Sequence, residues 1–161
     1  MSRRDDVVDA AEEILEAEGF EGLTMRRLGA ALSMRAPSLY KHIANKTEIE
    51  AALQDRALRL LAEALEGSDG DLAALAATYR RWALDHPRLY ALATRRPLRC
   101  ETAAVPLIDA LGGDDGLARV VWGAAHGLVD LELAGRFPAD ADLDDAWARL
   151  IAAFSSPSPR G

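Results

Sequence analysis

The sequence predicts an all-α protein, and three observations carry that prediction. Apolar residues recur at helical i, i+3, i+4 spacing along almost the whole chain, and no stretch shows the alternation of a half-buried strand. Glycines and prolines (Gly19, Gly67, Gly70, Pro87, Gly112, Gly113) fall between the periodic segments, where helices end. Half of the 161 residues are hydrophobic, enough for a core, yet no run approaches the length of a membrane-spanning helix.

The first helix is expected over residues 3–18, with Val8, Ala11, Ile14 and Leu15 inward. Gly19 would end it in a left-handed cap, with Phe20 as the hydrophobic contact. Thr24 is placed to cap a second, short helix whose Leu28, Ala31 and Leu32 share a face. Ser33-Met34-Arg35 forms a tight turn, with serine where a positive φ is needed. Pro37 suits the first position of a third helix, because its missing N–H would be unpaired there anyway. Leu39 and Ile43 anchor that helix inward. Arg35, Ser38, Lys41 and His42 then face outward, with Tyr40 at the edge. Asn45 followed three residues later by Glu48 is a capping-box-like start for the next helix.

That helix is expected over 46–66, with Ile49, Leu53, Leu60, Leu61 and Leu65 as its stripe. The next carries Leu72, Leu75, Ala76, Tyr79, Trp82 and Ala83 on one face and ends before Pro87, and a short helix carries Leu89, Tyr90 and Leu92. A cationic loop over 94–99 precedes a helix within 101–111 that is started or kinked by Pro106. The long helix over 115–135 is apolar nearly all round and should be buried on more than one side. The last, over 142–154, repeats Leu143, Trp147, Leu150, Ile151 and Phe154, and 155–161 reads as a disordered tail.

The charge distribution points to a binding class. The net charge is −7, yet five cations (Arg26, Arg27, Arg35, Lys41, Lys46) and no carboxylate lie between positions 24 and 47, and both lysines of the chain are among them. A cationic island on an acidic protein is suited to a local polyanion contact, and two short helices joined by a tight turn suit duplex DNA. Lys46 opposes the dipole of the helix it begins, a conflict that a nearby phosphate would relieve.

These residues carry a family resemblance. Ala10, Ala11, Ile14, Leu15, Gly19, Phe20, Leu23, Thr24, Arg26, Leu28, Pro37, Leu39, Tyr40, His42, Asn45 and Lys46 resemble, at fixed spacing over about 45 residues, the DNA-binding domain of TetR-type transcriptional repressors. Gly29 departs from the usual alanine, and Ser33-Met34 from the usual Gly-Val. A second resemblance covers the rest. Trp122-Gly123, His126-Gly127 and the run from Leu131 to Phe137 look like a Trp-His-Gly type of C-terminal domain found in part of that family, and Tyr79, Trp82, His86, Pro87, Leu89 and Tyr90 fit the same type. The C-terminal half is shorter than is usual for the family.

The resemblance implies a helix-turn-helix domain at 1–47 and a helical regulatory and dimerisation domain at 48–154. It implies a homodimeric regulator, a repressor released from an inverted-repeat operator by a small molecule. Arg26, Arg35, Ser38 and Lys41 would reach base edges, Pro37 would pack on a thymine methyl, and Thr24, Tyr40, His42 and Lys46 would hold phosphates. From the residues themselves, Tyr79, Trp82, Tyr90, Trp122 and His126 are candidates to line a pocket for an apolar ligand, as large aromatics with one polar group. Leu117, Val121, Ala124, Leu128, Trp147, Leu150 and Ile151 are candidates for a dimer interface, with Gly123 and Gly127 allowing close approach.

Other classes fare worse. There is no metal-ligand spacing, phosphate loop or serine elbow, so neither a metal nor a cofactor is expected. Asp130 and Glu132 lie on different sides of one helix and make a poor acid–base pair. A single cysteine, Cys100, permits no internal disulfide, and the first six residues lack the apolar stretch of a signal peptide, so the protein is expected in the cytoplasm. The alternative from another class is a helical ligand or protein sensor without sequence-specific DNA binding.

Overall fold

The structure, a computed structural model, describes residues 3–95 and 104–155. The expected loop from residue 96 onward, Cys100, the first residues of the 101–111 segment and the tail beyond Ser155 lie outside the described residues. Among those described there are nine helices and no strand: α1 (Arg3–Gly22), α2 (Met25–Ala31), α3 (Ala36–Leu39), α4 (Lys46–Glu66), α5 (Leu72–Asp85), α6 (Pro87–Arg95), α7 (Val105–Ala110), α8 (Asp115–Leu133) and α9 (Leu143–Ser155). No helix among them is long and apolar enough to cross a membrane.

The chain divides into two compact units. One comprises Met1–Arg59 with His86–Cys100, the other Leu60–Asp85 with Glu101–Gly161. This division differs from a single boundary after residue 47, because the first part of α4 and all of α6 pack with α1.

In the first unit Val7, Val8, Ala11, Ile14 and Leu15 of α1 are buried with Leu23, Leu28, Leu39, Ile43, Ile49 and Leu53. Four side chains tie the helices together across long sequence separations. Arg56 of α4 pairs with Asp9 and Glu12 of α1 at 2.6 and 2.9 Å. Gln54, almost fully buried, donates to the Ala93 carbonyl of α6 at 3.1 Å. Arg88 of α6 donates to the carbonyls of Leu15 and Glu16, and the Glu16 carboxylate accepts from Leu89 N–H at 3.0 Å. Gln54 shows no apolar periodicity, and its burial is set by that carbonyl partner.

Several local expectations change. α1 breaks at Gly19 but resumes to Gly22; Gly19, at φ 75° and ψ −171°, sits in an extended positive-φ region open essentially to glycine alone and not in the left-handed helical well. In α2 the buried residues are Leu28 and Gly29, while Ala31 is exposed. The turn explains this: Met34 N–H bonds back to the Gly29 carbonyl at 2.8 Å, so the chain folds over the glycine, whose absent Cβ would stand 3.1 Å from the Met34 carbonyl oxygen. On α4, Leu60 is only half-buried, and Ala57 and Leu58 take the inward positions.

In the second unit all six inward residues expected of α5 are buried, and Thr78 joins them. α8 buries one stripe, Ala118, Val121, Ala125 and Val129. The expectation that α8 is covered on more than one side fails within the chain: Val120 is 57% and Leu131 43% exposed. Val121 and Trp147, expected at a dimer interface, are instead 4% and 5% exposed in the unit's own core. Trp147 lies beneath Arg80, whose guanidinium carbon is 5.7 Å from the ring centre. Arg80 also pairs with Glu132 at 2.8 Å and Asp144 at 2.6 Å, which joins α5, α8 and α9.

Candidate nucleic-acid interface

α2 and the turn that follows it are held by local chemistry legible in the sequence. Thr24 Oγ1 accepts from Arg27 N–H at 3.1 Å, the expected N-cap of α2. At the other end Ser33 N–H bonds to the Ala30 carbonyl and Met34 N–H to that of Gly29, with Ser33 at φ 52°. This pair of bonds is a Schellman closure built on a serine instead of the usual glycine. Arg35 caps α3, so Pro37 occupies the second helical position, one later than expected, where it still displaces no intrahelical bond. α3 stops short of Ile43, expected on it: regular helix ends at Leu39, and residues 40–42 continue as turns held by His42 N–H to Leu39 O at 2.9 Å.

The outward groups divide by their partners. Arg26, Arg35 and Lys41 are exposed and make no ion pair among the described residues. Ser38 is exposed beside them, and Tyr40 is 51% exposed, well out of the core. His42 is half-buried. Arg27, counted in the cationic island, is neutralised by Glu18 at 2.6 Å, a partner outside the window that no local pattern reveals. Lys46 is half-buried and donates to the Phe20 carbonyl at 2.7 Å. That acceptor is neutral, so the ammonium is fixed in place while its charge stays uncompensated.

The capping box at the start of α4 is shifted by one residue. Asn45 Oδ1 accepts from Glu48 N–H at 3.0 Å, as expected, but Glu48 returns its own bond to Ala44 N–H at 2.7 Å and not to Asn45. Arg4, which the sequence did not single out, reaches Glu48 at 2.7 Å.

The Ala44 N–H and then the Arg4 guanidinium hold the Glu48 carboxyl below its ordinary 4.5, and the Arg27 guanidinium holds that of Glu18 below it. A depressed folded pKa contributes stability that is fully present above the unfolded value and is lost as pH falls through the folded one. Carboxyl carbon NMR titration of the native protein is therefore expected to give both residues midpoints below 4.5; midpoints at or above it would show that the two contacts do not persist in solution.

The candidate ligand residues fall in different places. Tyr79 and Trp82 are buried on α5, and Trp122 stacks on His126 along α8 with ring centres 5.7 Å apart. Trp122 is 40% exposed. Tyr90 belongs to the first unit, where α6 buries it. Two open clefts, of about 420 and 330 Å³, run along α1 and α4 and are lined mainly by charged residues; none of the five candidates lines either. No group of three or more His, Cys, Asp or Glu side chains able to hold a metal occurs among the described residues.

Comparison with known proteins places this geometry. Residues 7–53 match the family described as "Bacterial regulatory proteins, tetR family", and residues 72–154 match "Tetracyclin repressor-like, C-terminal domain". The HTH-type transcriptional regulator Rv0681 of Mycobacterium tuberculosis is 30% identical over 92% of this chain and 78% of its own length. An HTH-type transcriptional regulator of Saccharopolyspora erythraea is 34% identical over 82% of this chain, which spans only 54% of that relative. Among solved structures, Mycobacterium smegmatis BioQ superposes with a TM-score of 0.67 at 27% identity, over 95% of each chain. A TetR variant of Acinetobacter baumannii AYE, crystallised with minocycline, shares the fold with a TM-score of 0.69 at 24% identity, over 96% of each chain. With both halves matched and a relative aligned over most of both lengths, the chain belongs to the TetR family of helix-turn-helix transcriptional regulators.

Proposed function

We propose that the protein is a cytoplasmic homodimeric repressor that binds an inverted-repeat operator through α2, the turn and residues 36–43, and leaves it when a small apolar ligand binds the second unit. The observation that carries the DNA reading is the set of exposed cations Arg26, Arg35 and Lys41 without ion-pair partners among the described residues, on a helix-turn-helix. An acidic protein that leaves three arginine and lysine charges unpaired on one short motif favours a polyanion there.

In this reading Arg26, Arg35, Ser38 and Lys41 reach base edges in the major groove, and Pro37 packs on a thymine methyl. Thr24, Tyr40, His42 and Lys46 contact phosphates; the Thr24 oxygen accepts from Arg27 N–H, which leaves its hydroxyl proton for a phosphate oxygen. Footprinting on the DNA upstream of its own gene tests the proposal: protection of two half-sites in inverted orientation supports it, and protection of a direct repeat, or of nothing, refutes it.

Two classes of variant separate the roles. Arg26→Ala and Lys41→Ala should each relax base preference at a cost of about 1–3 kcal/mol. Lys46→Ala should weaken all duplexes alike and reduce the salt slope by about one phosphate's worth. Anisotropy titrations over a range of salt distinguish them; a Lys46→Ala protein with altered base preference and an intact slope would contradict the assignment.

For the ligand, the supporting features are Tyr79 and Trp82 in the core and the Trp122–His126 stack, which belong to the residues that resemble the Trp-His-Gly type. Tyr90 is left out, since it lies in the first unit. The minocycline bound by the A. baumannii TetR variant is a precedent for a small molecule on this fold. Such a ligand must prefer the DNA-incompetent state, by about 1.4 kcal/mol for each tenfold loss of operator affinity.

A further inference from the structure

The recognition element is too short to hold itself. Four residues of regular helix make barely one turn, and an isolated turn of helix is unstable in water. Leu39 and Ile43, each about 1% exposed, pin one side of the segment to the core. The other side carries backbone groups that must be fixed by something else, and the side chains proposed to touch DNA, Tyr40, Lys41 and His42, project from that stretch.

One ion pair supplies the missing restraint. Arg4 Nη1 donates to the His42 carbonyl at 3.1 Å and to Glu48 Oε1 at 2.7 Å. The second oxygen of the same carboxylate, Oε2, accepts from Ala44 N–H at 2.7 Å. A guanidinium from the first turn of α1 and a carboxylate from the first turn of α4 thus grip the backbone at 42 and 44, from 38 residues and four residues away in the chain.

We propose that Arg4 and Glu48 form a clamp that sets the pose of residues 40–44, and that they are positioning residues for operator recognition. The inference rests on the DNA-binding reading above. The Arg4 side chain is 49% and that of Glu48 35% exposed, and an ion pair so exposed adds little to global stability. The clamp's effect is therefore local. Arg4 is also occupied within the protein, which separates it from the unpaired cations Arg26, Arg35 and Lys41.

The test uses the full chain and three variants, Arg4→Ala, Glu48→Ala and Glu48→Gln. The probes are a duplex that the wild-type protein selects from a randomised library and a scrambled duplex of equal length. Arg4→Ala and Glu48→Ala are expected to lower affinity for the selected duplex about tenfold and leave the scrambled duplex unchanged, with the salt slope preserved. Glu48→Gln keeps an acceptor for Ala44 N–H and should recover part of the loss. Independently of DNA, native-state hydrogen exchange at Ala44 should quicken about tenfold in Glu48→Ala, while the melting temperature stays near that of the wild type.

Unchanged exchange at Ala44 overturns the clamp whatever the DNA does. A salt slope reduced by about one in Arg4→Ala, with the specificity ratio intact, overturns it as well, since Arg4 would then be a phosphate contact. A wild-type protein that selects no duplex overturns the DNA-binding reading itself, a result distinct from either.

Discussion

Val120→Glu combined with Leu131→Glu is expected to leave the protein monomeric at micromolar concentration and to lower its affinity for the inverted repeat at least about a hundredfold. Val120, Ala124, Gly127 and Leu131 recur at i, i+4, i+7 and i+11 along α8, the spacing of a helix-packing seam. The buried stripe of the same helix, Ala118 to Val129, already faces its own core, so this second apolar side stays open in the single chain. Leu117, Ala124 and Leu128 of the expected interface lie on or beside the seam. Leu150 and Ile151 of α9 are half-buried, while Val121 and Trp147 are withdrawn from it.

In the proposed dimer, two such faces related by a two-fold axis would bury apolar surface, and carboxylates placed there would be charged and unsolvated. Both altered positions are substantially exposed in the single chain, so the fold of the subunit should survive. A monomer reads one half-site alone and forfeits the gain from tethering the second. Sedimentation equilibrium gives the answer directly, and a dimer that persists in the double variant would show that subunits meet elsewhere.

Glu132→Ala is expected to destabilise the second unit by about 2–4 kcal/mol, a fall in melting temperature of roughly 5–15 °C. Arg80 is four-fifths enclosed, and Glu132 more so, at 14% side-chain exposure. Bonds to Glu132 and, secondarily, to Asp144 raise the guanidinium pKa despite burial, so the charge stays and needs a partner. Without Glu132 only Asp144 remains, and its side chain is 89% exposed and well solvated on its own. Asp144→Ala should accordingly change stability by no more than about 0.5 kcal/mol.

The paired replacement Arg80→Met with Glu132→Leu removes both charges together and should recover most of the loss, because what costs is a lone buried charge and not the absence of the pair. Calorimetry on the four proteins checks this; a double variant no more stable than Glu132→Ala would mean that the network contributes beyond mutual neutralisation.

The sequence by itself determined the all-helical class, the approximate position of most helices and the family, but not every cap: the one expected at Gly19 did not form there, and the box at Asn45 is shifted by one residue. Periodicity placed the buried face of α5 residue by residue, and Thr24, Asn45, Ser33 and the Gly112-Gly113 pair marked where helices begin and end, because these signals arise within one turn of chain. It also placed the outward cations of the recognition element, since Leu39 and Ile43 fix the inward side of so short a segment.

The tertiary structure decided which apolar face is covered and which charges are paired. α8 is apolar nearly all round, so its sequence cannot distinguish the stripe that faces α5 and α9 from the one left open; that depends on where neighbouring helices pack. Arg27 and Lys46 look alike in a charge count, yet one meets the carboxylate of Glu18 and the other the neutral carbonyl of Phe20. Arg4 and Glu48, 44 residues apart, become a single device only when α1 crosses the start of α4. Local pattern reports forces that act along a few residues, whereas pairing across a fold is set by distances that exist only once the helices have packed.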